Sequence, residues 1–156
     1  RKLPLVVVLD EIRSMHNVGS VFRTSDAFKV SSLCLCGITG CPPHAEIHKT
    51  ALGAEDTMQW VHFAHTLEAL EQLRGEGYTL CAVEQAEGSV MLNNFLPDKK
   101  KKYAVVFGNE VKGVHQSVVD ACDLCIEIPQ YGVKHSLNVS VSAGIVLWDL
   151  FMKLSD

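Results

Sequence analysis

Apolar runs of strand length recur along this chain with room for crossovers between them: LVVVL (5–9), SLCLCG (32–37), WVHFA (60–64), YTLCAV (78–83), YAVVFG (103–108) and LCIEI (124–128). A strand covered on both faces needs such a continuous run, because neither face meets water. Helical patterns alternate with them. One runs from Asn17 to about Phe28, and a short one from Ile47 to Leu52 ends near Gly53. A third is opened by Thr66, carries Leu67, Leu70 and Leu73 on its inner face, and is closed by Gly75 and Gly77. The last covers Val139 to Leu154. This alternation predicts an α/β fold, a mostly parallel sheet with helices on both faces, built as one domain over residues 1–156. In such sheets ligands bind beyond the carboxyl ends of the strands.

A chain of 156 residues has room for one proper core, and its 47% hydrophobic and 21% charged content is that of a globular protein. No apolar run approaches the roughly 20 residues that cross a bilayer, so no membrane role is expected. The N-terminal basic residues lead into an apolar run followed by acids, with no small-residue cleavage site; this reads as a first strand and not a signal peptide. The chain does not begin with Met, so a short preceding segment is expected. Cys34, Cys36, Cys81 and Cys125 fall in strand-like runs, where a free thiol acts as a small hydrophobe. Cys122 and Cys125 have CxxC spacing, but no second pair or His pair completes a zinc set, so no metal is expected. Reduced thiols in a cytoplasmic protein fit best. The net charge of −4 excludes a uniformly basic surface while allowing a local patch, in which Lys112, Lys134 and the lysine run 99–102 are candidates. Such a run is otherwise an ordinary solvated loop.

Three loops follow strands on the expected ligand side. The first leads into HNVGSVFRT (16–24), where Asn17 is a good N-cap and Gly19 costs about 1 kcal/mol against alanine. Arg23 lies one turn beyond Gly19 on the same face. Either Arg23 is solvated, pairs with Asp26, and the glycine serves close packing, or the helix start is bare so that an anion can approach. The second loop, FGNEVKG (107–113), brackets an Asn–Glu pair with Gly108 and Gly113, which suits a backbone turn against a ligand. The third, IPQYGVKHSLNVS (128–140), places Ser136 and Asn138 where side chains reach a cleft and Asn138 can cap the last helix. None matches GxGxxG or the P-loop, which weakens dinucleotide and triphosphate readings. The last helix is apolar nearly all round, so it is covered on more than one side, by a second subunit or by overlying loops.

Taken together, Asn17-x-Gly19-x-x-x-Arg23, Phe107-Gly108-Asn109-Glu110-x-x-Gly113, and Ile128-Pro129 followed by Ser136-Leu137-Asn138-Val139-Ser140 resemble the three motifs of the SpoU RNA methyltransferases, the TrmH-like branch of the SPOUT superfamily. The stretch Lys49-Thr50-Ala51-Leu52-Gly53-Ala54-Glu55 is also similar to the family, and the resemblance covers essentially the whole chain. It implies transfer of a methyl group from S-adenosylmethionine to a ribose 2′-hydroxyl of transfer or ribosomal RNA. It implies a deep C-terminal trefoil knot, which topology rules would never propose, and a homodimer. By position, Gly108, Ile128 and Leu137 would hold the cofactor, with Val83 and Glu84 beside them. Asn17, Arg23, Glu110, Ser136 and Asn138 would be catalytic, and RNA would approach over the Gly19 face. The family proposal makes the motif arginine a base; a guanidinium with a pKa above about 12 suits a phosphate clamp and alkoxide stabiliser better. Two other readings are a catalytically inactive RNA-binding or assembly protein of the same fold, and a base methyltransferase of the same superfamily, which the first motif disfavours.

Overall fold

The computed structural model describes residues 1–133 and 136–156. Its elements are β1 (Leu5–Asp10), α1 (Met15–Ala27), β2 (Ser32–Cys36), α2 (Ala45–Ala51), α3 (Ala54–Thr57), β3 (Gln59–Phe63), α4 (Thr66–Gly75), β4 (Tyr78–Val83), β5 (Val90–Met91), β6 (Lys102–Phe107), α5 (Gln116–Ala121), β7 (Leu124–Glu127) and α6 (Val139–Leu154), with a 3-10 turn at Leu92–Asn94. The strands form one sheet in the order β3-β2-β1-β6-β4-β7-β5, and each neighbouring pair is parallel. Val7 of β1 pairs with Leu33 on one side and Val105 on the other. Leu5, Val7 and Leu9 point to the face carrying α1, α2, α3 and α6. Val6 and Val8 point to the face carrying α4 and α5. Two covered faces are why β1 is a continuous apolar run.

Local chemistry moves several boundaries. The N-cap of α1 is Ser14 and not Asn17: the Asn17 N–H donates to Ser14 Oγ at 3.1 Å, two residues inside the helix. That releases the Asn17 side chain for other contacts. The N-cap of α4 is His65 and not Thr66, which is buried with its hydroxyl donating to Asp10 at 2.6 Å. With the helix so phased, Ala69, Leu70 and Leu73 face inward and Leu67 is 45% exposed, not part of the inner face. The short α3, α5 and β5 carry too few apolar positions for a periodic signal.

Gly19 settles the opening ambiguity. A Cβ there would stand 2.1 Å from Thr50 Oγ1 and 2.3 Å from the Ile47 carbonyl oxygen, so the bare backbone lets α2 pack directly against α1. Gly19 is buried by α2, so its bare backbone serves helix packing and is not itself a contact for RNA. Helix α6 buries Val139, Ala143, Val146, Leu147, Leu150 and Leu154 against the sheet. Val141, Ile145, Trp148 and Met152 form an exposed stripe at helical spacing, while Phe151 turns inward and its ring lies 5.6 Å from that of Phe28. Among the described residues no helix is long and apolar enough to cross a membrane.

Candidate active site

The carboxyl ends of β6, β4 and β7 lie side by side, and the loops that follow enclose a cleft. Val83, Glu84, Gly108, Glu110, Ile128, Ser136 and Leu137 line it, all seven expected from the sequence. Asn109, marked by the second motif, lines it too, as do Gln85, Glu127, Gln130 and Ser142, which carried no separate sequence signal. The cleft is open to solvent at its mouth, and its cavity volume is about 100 Å³.

The turn after β6 is built from its own residues. Asn109 and Gly113 exchange backbone hydrogen bonds of 3.0 and 2.8 Å. Asn109 Oδ1 accepts the N–H groups of Val111 (2.9 Å) and Lys112 (3.0 Å), and Nδ2 donates to the Glu11 carbonyl at 2.7 Å. Asn109 therefore shapes the loop. A Cβ on Gly108 would meet Val114 N at 2.1 Å, so this glycine is required for loop closure, not only for ligand approach. Gly113 has φ 71°, the left-handed region, and its Cβ would stand 2.4 Å from Glu84 Oε2. Both oxygens of Glu84 are used, accepting Val114 N (3.0 Å) and Gln85 N (3.1 Å).

Glu110 ties this loop to the first. Its carboxylate accepts the N–H groups of Arg13 (2.9 Å) and Ser14 (2.8 Å) and the Asn17 Nδ2 amide (3.0 Å). Partial burial pushes the Glu110 pKa up, but the Arg13, Ser14 and Asn17 donors outweigh it and hold it below its ordinary 4.5. Asn138 Nδ2 lies 3.5 Å from Asn17 Oδ1, while Asn138 Oδ1 caps α6 through Ser140 N (2.8 Å) and Val141 N (3.4 Å). Glu110, Asn17 and Asn138 thus join all three motif loops in one chain of polar contacts.

Arg23 stands apart. It does not line the cleft but a separate groove between α1 and α2, with Ser20, Thr24, Phe28, Lys49 and Thr50. Six helical residues beyond Asn17 place it about 9 Å along the axis. The alternative expectation of a pair with Asp26 is not met, since Arg23 makes no ion pair among the described residues. The lysine run 99–102 opens β6 at the end of the sheet opposite the cleft, so it forms no patch with Lys112, and Lys134 lies outside the described residues. Burial pushes the Cys122 thiol up to about 12, with Cys125 and Asp123 adding to the shift, which disfavours the reactive thiolate a redox CxxC needs. Among the described residues no group of three or more His, Cys, Asp or Glu side chains is placed to hold a metal.

The SpoU rRNA Methylase family model matches residues 4–148, so the chain belongs to that family. Over 144 residues it is 33% identical to the 23S rRNA (guanosine-2′-O-)-methyltransferase RlmB of Neisseria meningitidis serogroup B, covering 92% of this chain and 56% of that protein. It is 31% identical over 148 residues to the tRNA (guanosine(18)-2′-O)-methyltransferase TARBP1 of Mus musculus, covering 93% of this chain and 9% of the mouse protein. The AdoMet-bound rRNA methyltransferase of Sinorhizobium meliloti superposes with a TM-score of 0.90 at 28% identity, covering 100% of this chain and 59% of that one. The A. aeolicus TrmH/SpoU tRNA modifying enzyme gives 0.86 at 28% identity, over 98% of this chain and 76% of its own. The chain therefore spans just over half the length of the Neisseria relative.

Proposed function

We propose that this chain is the catalytic unit of an S-adenosylmethionine-dependent RNA methyltransferase acting on a ribose 2′-hydroxyl of transfer or ribosomal RNA. The observation that carries the reading is the convergence of the three motif loops on one cleft, joined by Glu110, Asn17 and Asn138. The lining suits the cofactor: Glu84, Glu110 and Glu127 make the cleft acidic, which favours a cationic sulfonium, and Val83, Ile128 and Leu137 offer apolar surface. Bound there, S-adenosylmethionine supplies an electrophilic methyl group.

The residues of the chain then do the rest. Gly108, Ile128 and Leu137 hold the cofactor through backbone and apolar contact, with Val83 and Glu84 beside them. Glu110 and Asn17 hold the loops in register, and Ser136, exposed at the rim, meets the ribose. Alignment of the hydroxyl with the methyl is worth at most about 7–11 kcal/mol. Arg23 clamps an RNA phosphate and stabilises the alkoxide as the hydroxyl proton departs to solvent. Since Arg23 does not line the cleft of its own chain, it serves the cleft of a partner. The unit is a homodimer paired through Val141, Ile145, Trp148 and Met152, and Ile145 also borders the outer wall of the cleft with Leu137. The C-terminal segment is knotted, a reading supported by superposition over the whole chain on the Sinorhizobium enzyme. The enzyme works in the cytoplasm, in keeping with its free thiols.

Calorimetry with S-adenosylmethionine, followed by labelled methyl transfer to unmodified RNA, tests the reading. Saturable binding and label that resists alkaline cleavage at the modified ribose are expected. A folded protein that shows no saturation at millimolar cofactor would overturn it, and RNA binding without transfer would point to the inactive assembly protein.

A further inference from the structure

The lysine run that the cleft leaves unused lies in a basic rim at the opposite end of the sheet. All the strands are parallel, so their starting ends share one edge of the molecule. The Leu3 N–H donates to the Lys29 carbonyl at 2.7 Å, which sets Lys29 beside Arg1 and Lys2. The Tyr103 N–H donates to the Pro4 carbonyl at 3.0 Å, which brings residues 99–102 to the same place. Lys102 Nζ rests 4.6 Å from the Tyr78 ring centroid. Asp26, Asp56, Glu76, Asp98 and Asp156 share this end, but they do not neutralise its centre. Asp98 Oδ1 accepts the Lys100 N–H at 2.8 Å and shapes the turn, and Asp156 lies 3.7 Å from Lys99. Lys29, Lys100 and Lys101 are exposed and have no carboxylate partner among the described residues. The cleft end is richer in carboxylates, with Glu11, Glu84, Glu110 and Glu127 around the loops against the cations Arg13 and Lys112.

We infer that this rim, centred on Lys29, Lys100 and Lys101, is a second RNA-binding surface that takes the phosphodiester backbone of a large RNA away from the nucleotide at the cleft. Nucleic-acid affinity comes mostly from phosphate neutralisation, and a single Arg23 clamp at a carboxylate-rich cleft supplies only a small part of it. Strand β6 separates the two ends by about 20 Å at ~3.3 Å per residue, so one RNA reaches both only if it is long and folded. The choice of RNA over another polyanion rests on the proposed function.

The test compares the parent with the double variant Lys100→Glu/Lys101→Glu, using fluorescence anisotropy with bulk transfer RNA at graded salt. Binding about ten-fold weaker at low salt, and a slope of log affinity against log salt shallower by roughly 2, are expected. Lys100→Gln/Lys101→Gln should fall between, with cofactor affinity and thermal midpoint unchanged in both. In methyl-transfer assays KM for RNA should rise with kcat held. Equal RNA affinity in parent and variant would overturn the inference, as would loss of kcat alone. Loss of sedimentation with phosphatidylserine vesicles, with RNA binding intact, would assign the rim to a lipid surface instead. If the parent binds RNA through the rim yet transfers no methyl group, the proposed activity fails and the rim stands.

Discussion

Gly19 carries two opposed predictions. Helix propensity alone says that Gly19→Ala should stabilise α1 by about 1 kcal/mol. The 2.1 and 2.3 Å approaches to Thr50 Oγ1 and the Ile47 carbonyl say that α2 must be pushed away, at a cost of about 1–3 kcal/mol. The second effect is larger, and the Ile47 contact is backbone that cannot rotate aside. Urea unfolding should show a lower midpoint for Gly19→Ala; a higher one would mean that α2 moves freely. Glu110 makes a prediction with a pH signature. Its folded pKa lies below the unfolded value, so its stabilisation is complete above the unfolded value and is lost as pH falls through the folded one. Glu110→Gln should cost about 1–3 kcal/mol at neutral pH, because charged acceptance from Arg13, Ser14 and Asn17 is weakened. Denaturation curves of parent and variant should converge only once the pH has fallen below the lowered folded pKa of Glu110; a gap independent of pH would show that the carboxylate charge is not what holds the loops.

At the scale of elements, the turn between β6 and α5 and the helix α6 are the informative pieces. If Gly108 served ligand approach alone, a bulky residue at position 108 would block the cofactor and spare the fold. The geometry changes that expectation: with Val114 N 2.1 Å and Gly113 carbon 2.2 Å from the would-be Cβ, Gly108→Val must displace the turn itself. Proton spectra of the variant should show changes spreading to Glu84 and Asn109 even without cofactor, alongside lost binding. Changes confined to residue 108 would restore the simpler view. In α6 the division of labour is between Trp148, which is 53% exposed, and Phe151, which packs on Phe28. Trp148→Glu should therefore give a folded monomer with weak activity, visible as a single 17 kDa species in light scattering, while Phe151→Glu should lower stability outright.

For the whole molecule the sharpest question is whose Arg23 serves which cleft. If the groove between α1 and α2 of one chain serves the partner's cleft, two inactive variants can repair each other. Arg23→Ala lacks the clamp, and Leu137→Asp lacks the cofactor wall. Equal mixing and re-equilibration should restore about a quarter of the parent rate, since half the dimers pair unlike chains and each holds one complete site. No activity in the mixture would place Arg23 in the same site as its own chain's cleft.

The alternation of apolar runs and helical patterns is legible in one dimension because burial on both faces leaves a continuous signature, and the sheet and its two helical layers follow from it. The three loops were legible too, because ligand sites in such sheets lie past the strand ends and short polar motifs mark them there. Ser136 was named on that basis, whereas Val83, Glu84, Ile128 and Leu137 were named only through the resemblance to the SpoU family. What no sequence pattern carried was which partner each polar group takes. Ser14 displaces Asn17 as the helix cap, and so Asn17 is free to bind Glu110, a residue 93 positions away. Gly19 is bare for Thr50 and not for a ligand, and Arg23 opens onto a groove that the cleft does not share. The lysine run looks like part of the site until β6 carries it to the far end of the sheet. Local sequence determines elements because their energetics are set by near neighbours and by burial; who touches whom across the chain is decided only when the layers pack, because those contacts depend on register and helix phase that no local pattern records.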